Sequence, residues 1–290
     1  MIDLHVHSSF SDGTDTPEAL AALARRRGLR ALALTDHDNT AGVARFLAAC
    51  RAGHLTGLAG VELSAAVPSG TLHLVGLGID PGCAALQAAL EQVQEGRGGR
   101  NRRILGKLHD LGFDLDWAEV ARQAGDETVG RPHFAQAMVA RGWAASVQEV
   151  FDRYLAKGAP AYVDRFRMTP ADAIRLIRAA GGVAILAHPL TWIQDLTQLD
   201  GAIGELFEGG PAGLEAYYPS HTAEETIALL RLAARRRLLV SGGTDYHGRA
   251  VKPDIELGSG SGALDVPDTL LEPLFAALGP AGHYHREHVA

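Results

Sequence analysis

The chain of 290 residues holds only two cysteines, Cys50 and Cys83, and neither stands in a metal-knuckle or redox-motif spacing. A disulfide framework and a thiolate zinc site are thereby excluded, and two isolated thiols fit a reduced, cytoplasmic protein. Lysine is nearly as scarce: Lys107, Lys157 and Lys252 are the only three, so the remaining basic residues are arginines, whose planar forks suit phosphate. Positive charge does not dominate. Asp and Glu number 34 against 27 Lys and Arg, a net charge of −7, so no broad basic face draws the chain onto duplex DNA or an anionic membrane. Aromatic residues make up 6% and form no stripe of the kind that stacks single-stranded nucleic acid. No stretch approaches the ~18 uninterrupted apolar residues of a membrane span. The opening Met1-Ile2-Asp3-Leu4-His5 lacks the basic and apolar regions of a secretory leader.

What is present is a globular composition, 47% hydrophobic and 21% charged, long enough for one large α/β barrel or a core domain with an insertion. Short apolar runs at 2–6, 31–34, 58–63, 72–77, 183–187, 214–217 and 238–240 read as strands, and helical patterns lie between them. That alternation is the α/β rhythm. Thr16-Pro17-Glu18 supplies an N-cap and a first-turn proline for a helix that stops at Gly28, and Thr169-Pro170 opens another that closes at Gly181-Gly182.

Residues 92–167 break the rhythm with helical periodicity and many arginines, which predicts a helical insertion between barrel segments 1–91 and 168–290. Its first helix is expected to continue from the core through Arg97, Asn101, Arg102, Arg103 and Leu105 to Leu108. Glycine breaks at Gly98-Gly99 and Gly125 predict that the insertion moves as a lid. The tail His283-Tyr284-His285-Arg286-Glu287-His288 reads as a loose polar end.

Strand after strand ends in a histidine or a carboxylate. Period-two alternation puts His5 and His7 on one face of the first strand. Asp12 follows in the first loop; later runs deliver Asp36 and His37, Glu62, His73, His188, and finally Asp245 and His247. In a barrel of parallel strands these ends converge on one face, bringing six histidines and three carboxylates together: His5, His7, His37, His73, His188, His247, Asp12, Glu62 and Asp245. Imidazoles and carboxylates without thiolate are the ligands of Mn, Fe or Zn in hydrolytic centres. At roughly three or four ligands per ion, with one carboxylate bridging, the set serves two or three divalent ions. So many unpaired polar groups in one pocket would be costly to desolvate without cations. His54 and His109 sit in surface-like contexts and are left out.

The motifs His5-Val6-His7-Ser8, Ser11-Asp12-Gly13, Leu34-Thr35-Asp36-His37-Asp38, Gly60-Val61-Glu62, Ala187-His188-Pro189 and Gly243-Thr244-Asp245-Tyr246-His247, in this order, resemble the PHP phosphoesterases, named for polymerase and histidinol phosphatase. The resemblance spans Ile2 to about Arg249 and implies a distorted (β/α)7 barrel with a trinuclear metal site. It implies one ion on His5, His7, Glu62 and Asp245, a second on Glu62, His73 and His188, and a third on Asp12, His37 and His247, with Glu62 bridging two of them. Gly130-Arg131-Pro132-His133-Phe134-Ala135 and Gly158-Ala159-Pro160-Ala161-Tyr162-Val163 most resemble small stand-alone members acting on nucleotides. Those members include 3',5'-nucleoside bisphosphate phosphatases and a 5'-to-3' exonuclease of short RNA. Histidinol phosphatases usually differ at the position of Asp12 and lack the insertion.

The resemblance predicts a phosphomonoesterase in which a hydroxide bridging metal ions attacks phosphorus, with a nucleotide as substrate and short single-stranded RNA as a further one. Ser8, Arg131, His133 and His221 are the candidate phosphate contacts, and His133 and His221 the candidate proton donors to the leaving oxygen. Tyr217 or Tyr218 is a candidate for base stacking, and Asn101, Arg102 and Arg103 for a second phosphate. Asp3, Asp36 and Asp38 are expected to orient the ligands. Two alternatives stay open: hydrolysis of histidinol phosphate or another small ester, and a non-catalytic, metal-stabilised interaction module.

Overall fold

Each apolar run forms a strand, because each is short, aliphatic and bounded by glycine, proline or polar residues. The computed structural model describes residues 1–68, 72–124, 129–164, 168–207, 212–262 and 264–287. In chain order the elements are β1 (Asp3–Val6), α1 (Pro17–Arg26), β2 (Ala31–Leu34), α2 (Val43–Ala52), β3 (Thr56–Ala65), β4 (Leu72–Leu77) and α3 (Ala84–Asp110). There follow α4 (Trp117–Ala124), α5 (Arg131–Ala140), α6 (Val147–Val150), α7 (Pro170–Ala179), β5 (Val183–Leu186), α8 (Leu196–Leu206), β6 (Ala212–Tyr217), α9 (Ala223–Arg236), β7 (Leu239–Gly242), α10 (Leu271–Leu278) and β8 (Tyr284–His285). Two compact units result: Met1–Leu90 with Arg167–Ala290, and Glu91–Phe166.

In the first unit the strands are hydrogen-bonded in the order β1-β2-β3-β4-β5-β6-β7. The segment leaving β7 returns to β1: Asp245 N donates to His5 O (2.8 Å) and His7 N to Tyr246 O (2.9 Å). The fold is a distorted (β/α)7 barrel carrying a helical insertion. The expectation that all strands run parallel fails at β4, which is antiparallel to both β3 and β5. The connection 66–71 is too short for the roughly dozen residues of a parallel crossover, so the chain can only turn back. This reversal matters for the site, since it places the start of β4 beside the far half of β3, with His73 opposite Ser64.

The helix ends follow their sequence signals. The Thr16, Thr169 and Thr222 side chains accept from Ala19 N, Asp172 N and Glu225 N, each satisfying a first-turn donor, and losing such a cap costs about 1 kcal/mol. Ile2, Leu4, Leu58, Val75, Leu77 and Ile185 pack with Leu274, Phe275 and Leu278 of α10, so that helix buries its apolar face in the barrel core. The tail is a correction. Tyr284 and His285 pair antiparallel with Leu58 and Gly57, and the Tyr284 ring lies 4.6 Å from that of Phe275; backbone pairing and apolar contact tie down what composition alone reads as loose. His288 lies outside the described residues.

The second unit is helical in its described elements and has its own core, including Ile104, Leu108, Leu115, Phe134, Met138 and Leu155. Gly98-Gly99 is a further correction, because α3 runs unbroken through it for 27 residues. Glycine costs a helix only about 1 kcal/mol each, which the flanking turns absorb. Gly125 and the Arg97 side chain lie outside the described residues. Among those residues, no helix is long and apolar enough to cross a membrane.

Candidate metal centre

Glu62 lies in the interior of β3 and is fully buried. Its Oε2 is 3.4 Å from His5 Nε2, 3.2 Å from His7 Nε2 and 2.9 Å from His37 Nδ1. Its Oε1 is 2.8 Å from His73 Nδ1 and 3.1 Å from His188 Nε2, and those two nitrogens are 3.4 Å apart. Asp245 turns Oδ1 toward His7 Nε2 at 3.2 Å and His5 Nε2 at 3.6 Å. Asp12 faces His247 Nε2 at 3.2 Å and His37 Nε2 at 3.6 Å. All nine residues singled out by the strand-end pattern are therefore brought together. Atoms of eight of them fall into three groups: His5, His7, Glu62 and Asp245; His7, Asp12, His37 and His247; and His37, Glu62 and His73; His188, expected beside Glu62 and His73, is in none of the three, although its Nε2 is 3.1 Å from Glu62 Oε1. His7 and His37 each belong to two groups, a sharing that the sequence does not indicate.

Local backbone explains how six strands deliver to one point. His5 belongs to β1 and His7 follows it, both on one face. His37 leaves β2 and bridges to Glu62. His73 arrives at the beginning of its strand, which the reversal of β4 puts at the correct end. His188 (φ 26°) and Asp245 (φ 52°) take left-handed conformations where β5 and β7 end, as does Asp38 (φ 47°). Such strain in non-glycine residues persists only where the surroundings over-determine it, and it clusters at functional sites.

Burial opposes the charges on Glu62 and Asp245, yet the neighbouring imidazoles hold both carboxyls well below their ordinary range. Burial likewise works against protonated His7, but Asp245 and Glu62 push it up to about 9. For His73 and His247 burial prevails and the ring is held below its ordinary value. Against this background His5 Nε2, His7 Nε2, His37 Nδ1 and Glu62 Oε2 are buried without a hydrogen-bond partner among the described residues. Leaving such groups unsatisfied is expensive. A cation among three nitrogens and the oxygen they face removes that cost, and a donor set of imidazole and carboxylate suits a hydrolytic centre.

Outer acceptors fix several tautomers. His247 Nδ1 lies 2.8 Å from the Asp245 carbonyl, and His188 Nδ1 is 2.9 Å from Thr191 Oγ1, whose hydroxyl donates to His188 O. Both rings must hold their proton on Nδ1, leaving Nε2 as the lone pair turned to the cluster. Sequence reasoning missed Glu215 and Lys252 here and gave Tyr218 a different role. Glu215, buried in β6, faces His5 Nδ1 at 3.0 Å and accepts from His188 N at 2.6 Å. Tyr218 Oη (3.0 Å) and Lys252 Nζ (2.7 Å) donate to Asp245 Oδ2, the oxygen turned away from the cluster. A carboxylate inside the apolar run Leu214-Glu215-Ala216 was the available signal for Glu215; Lys252 had none.

The expected orienting roles come out differently. Asp36 accepts from Ser8 N, Ser8 Oγ and Ser11 Oγ, each at 2.7 Å, and so braces the first loop, while Asp38 accepts from Ser64 N of β3. Ser8 is fully buried and its hydroxyl is spent on Asp36. Asp3 accepts from Thr244 N (2.9 Å), Thr244 Oγ1 (2.6 Å) and Gly258 N (2.9 Å), tying β1 to the loops after β7. Tyr218, a stacking candidate, packs its ring 5.4 Å from His188 and 5.3 Å from His221. His221 Nδ1 faces Ala216 O at 3.0 Å, and its Nε2 is buried without a partner among the described residues.

In the second unit Arg131 Nη1 donates to Leu155 O at 3.0 Å, and its guanidinium lies over the Tyr162 and Phe151 rings at 5.3 and 5.8 Å. His133 Nδ1 accepts from Gly130 N at 3.0 Å, capping α5. Asn101 Nδ2 donates to Val129 O at 2.8 Å, while Arg102 and Arg103 are exposed.

A family model described as the PHP domain matches residues 3–114. The chain is 36% identical to a 3',5'-nucleoside bisphosphate phosphatase of Chromobacterium violaceum, over 85% of this chain and 87% of that one. It is 34% identical to a phosphoribosyl 1,2-cyclic phosphate 1,2-diphosphodiesterase of Eggerthella lenta, over 85% and 94% of the two chains. With the 5'-3' exoribonuclease Rnm of Salmonella typhimurium it shares 35% identity over 88% and 87%. A solved Chromobacterium violaceum structure described as an amidohydrolase with bound sulfate superposes with a TM-score of 0.76 at 33% identity, covering 99% of this chain and 98% of that one. The chain belongs to the PHP family.

Proposed function

We propose that this member of the PHP family is a divalent-cation-dependent phosphomonoesterase of nucleotides, with a nucleoside 3',5'-bisphosphate as its main substrate and short RNA, shortened from the 5' end, as a second. The observation that carries the reading is the set of unpartnered buried atoms around Glu62, turned toward one another in a cluster that divalent cations would reconcile. Three ions, Mn, Fe or Zn, would be held by His5, His7, Glu62 and Asp245, by Glu62, His73 and His188, and by Asp12, His37 and His247. Bound there, they would supply Lewis acidity toward phosphoryl oxygens and a water activated at neutral pH.

The chain's own residues do the rest. Glu62 addresses His73 and His188 with one oxygen and His5, His7 and His37 with the other, the arrangement of a bridging carboxylate. His221 donates Nδ1–H to Ala216 O, which orients the ring and leaves Nε2 without a partner among the described residues; in the imidazolium form, with a second proton on Nε2, it would serve as the proton donor to the leaving oxygen. His133 accepts from Gly130 N at Nδ1, so the neutral ring carries its proton on Nε2, the tautomer a phosphate contact would use. Arg131 uses one of its five N–H groups on Leu155 O and lies over the Tyr162 and Phe151 rings, contacts that would pre-order its fork for substrate phosphate. Residues 92–167 would thus form a substrate-binding unit. Ser8 is assigned to bracing Asp36 in place of phosphate. Two free cysteines favour a reducing, cytoplasmic setting.

A cyclic phosphate diester is a second reading, favoured by the Eggerthella lenta relative. The test is phosphate release by Mn-loaded protein from adenosine 3',5'-bisphosphate, beside AMP, histidinol phosphate and a chelator control, with ring opening of a ribose 1,2-cyclic phosphate to its monoester followed by phosphorus NMR. Chelator-sensitive turnover that favours the bisphosphate is expected. Preference for the cyclic diester or histidinol phosphate would overturn the substrate, and no turnover of any would favour a non-catalytic module.

A further inference from the structure

β6 contributes none of the nine residues of the centre, yet it touches three of them. Glu215 Oε1 lies 3.0 Å from His5 Nδ1, and Oε2 accepts from His188 N at 2.6 Å. Just past the strand, Tyr218 Oη reaches Asp245 Oδ2 at 3.0 Å. His5 comes from β1, His188 from the end of β5 and Asp245 from the end of β7, so one strand holds the deliveries of three others.

Glu215 is 2% exposed, and burying a carboxyl group is costly unless its oxygens find partners. Its two oxygens serve different ends. Oε1 keeps the His5 proton on Nδ1, which leaves Nε2, buried and unpartnered, as the lone pair toward Glu62 and Asp245. Oε2 pins the backbone of His188, whose φ of 26° would otherwise relax and carry its ring away from Glu62. A glutamine of the same shape cannot do both, since its amide offers one acceptor and presents N–H to the other donor.

We infer that Glu215 is a positioning residue of the metal centre: it sets the tautomer of His5 and the backbone of His188, and with Tyr218 makes β6 the strand that pre-organises the ligands. The inference rests on the cation-binding reading proposed above. Outer carboxylates on ligand histidines typically govern metal affinity by about tenfold to a hundredfold.

The experiment titrates metal-free wild type, Glu215→Gln and Tyr218→Phe with Mn2+, following free ion by electron paramagnetic resonance. Phosphate release from adenosine 3',5'-bisphosphate is measured on the same samples at rising Mn2+. Glu215→Gln should weaken Mn2+ binding by about tenfold or more, with kcat largely regained at saturating ion. Tyr218→Phe, which removes one donor to Asp245 and no charge, should move affinity in the same direction by less. Unchanged affinity in Glu215→Gln would overturn the inference, and so would lost kcat at saturating ion with unchanged affinity, which would put Glu215 in the chemistry. A lower melting temperature without an affinity change would reduce it to a structural role and equally overturn it. A wild type that binds Mn2+ but ignores the bisphosphate refutes the substrate reading alone, because the affinity comparison still decides on Glu215.

Discussion

Replacing Glu62 by glutamine removes a charge and almost no volume. Five imidazole nitrogens lie between 2.8 and 3.4 Å from the two carboxylate oxygens, and the side chain has no exposure to water that could compensate. Glutamine keeps one acceptor oxygen, replaces the other with an N–H2 that cannot ligate a cation, and removes the negative charge that two sets of rings share. Removing one partner of a buried charged pair costs about 3–5 kcal/mol. At about 1.36 kcal/mol per decade this is two to four decades of cation affinity. Wild type and Glu62→Gln would be loaded with Mn2+, desalted, and assayed for metal per chain and for phosphate release. The variant should lose the ions that Glu62 holds, keeping at most the one on Asp12, His37 and His247, and its turnover should fall by at least a hundredfold. Wild-type metal content, or activity within tenfold of wild type, in a variant with native circular dichroism would refute the reasoning.

Asp3→Asn should cost about 1–3 kcal/mol in urea unfolding, because the amide nitrogen faces donors from Thr244 and Gly258 that the carboxylate now satisfies; an unchanged midpoint would contradict this. His221→Asn should lower kcat by about a hundredfold or more with metal content unaltered, and a wild-type kcat would remove it from the proton-donor role. Burial pushes the Cys50 thiol up to about 12, whereas Cys83 is half-buried, so at pH 8.5 a thiol reagent should label one cysteine in the folded chain and both after unfolding. The sign for stability follows: the unfolded chain releases this proton above its ordinary pKa near 9 while the folded chain keeps it, so Cys50 makes stability fall as pH rises from about 9 toward 12. A flat alkaline limb on a Cys50→Ala difference curve would contradict it.

The strands and the nine residues of the centre were legible because both signals are local. Alternation at His5 and His7, and a ligand-type residue closing each apolar run, need only strand geometry and the rule that barrel strand ends share a face. The reversal of β4 was less visible, since composition says nothing of direction; the shortness of 66–71 is the one trace of it, and it moves His73 from a strand's end to a strand's start. Glu215 reads in sequence as an isolated carboxylate within a core strand, and its meaning depends on partners 210 and 27 residues away. Lys252 meets Asp245 across a loop in which Asp245 (φ 52°) and Gly248 (φ 90°) are left-handed; Gly248 announces a turn there, but nothing in the sequence announces the contact. The tail was misread for the same reason, since pairing of Tyr284 and His285 with β3 is long-range.

The most direct test of the central claim is anomalous diffraction from crystals of the protein grown with Mn2+, measured at wavelengths on both sides of the manganese edge. Anomalous peaks should lie among His5, His7, Glu62 and Asp245 and in the two adjoining groups, with both Glu62 oxygens in coordination. Peaks confined to surface groups such as His54 and Glu287, with none beside Glu62, would contradict the account.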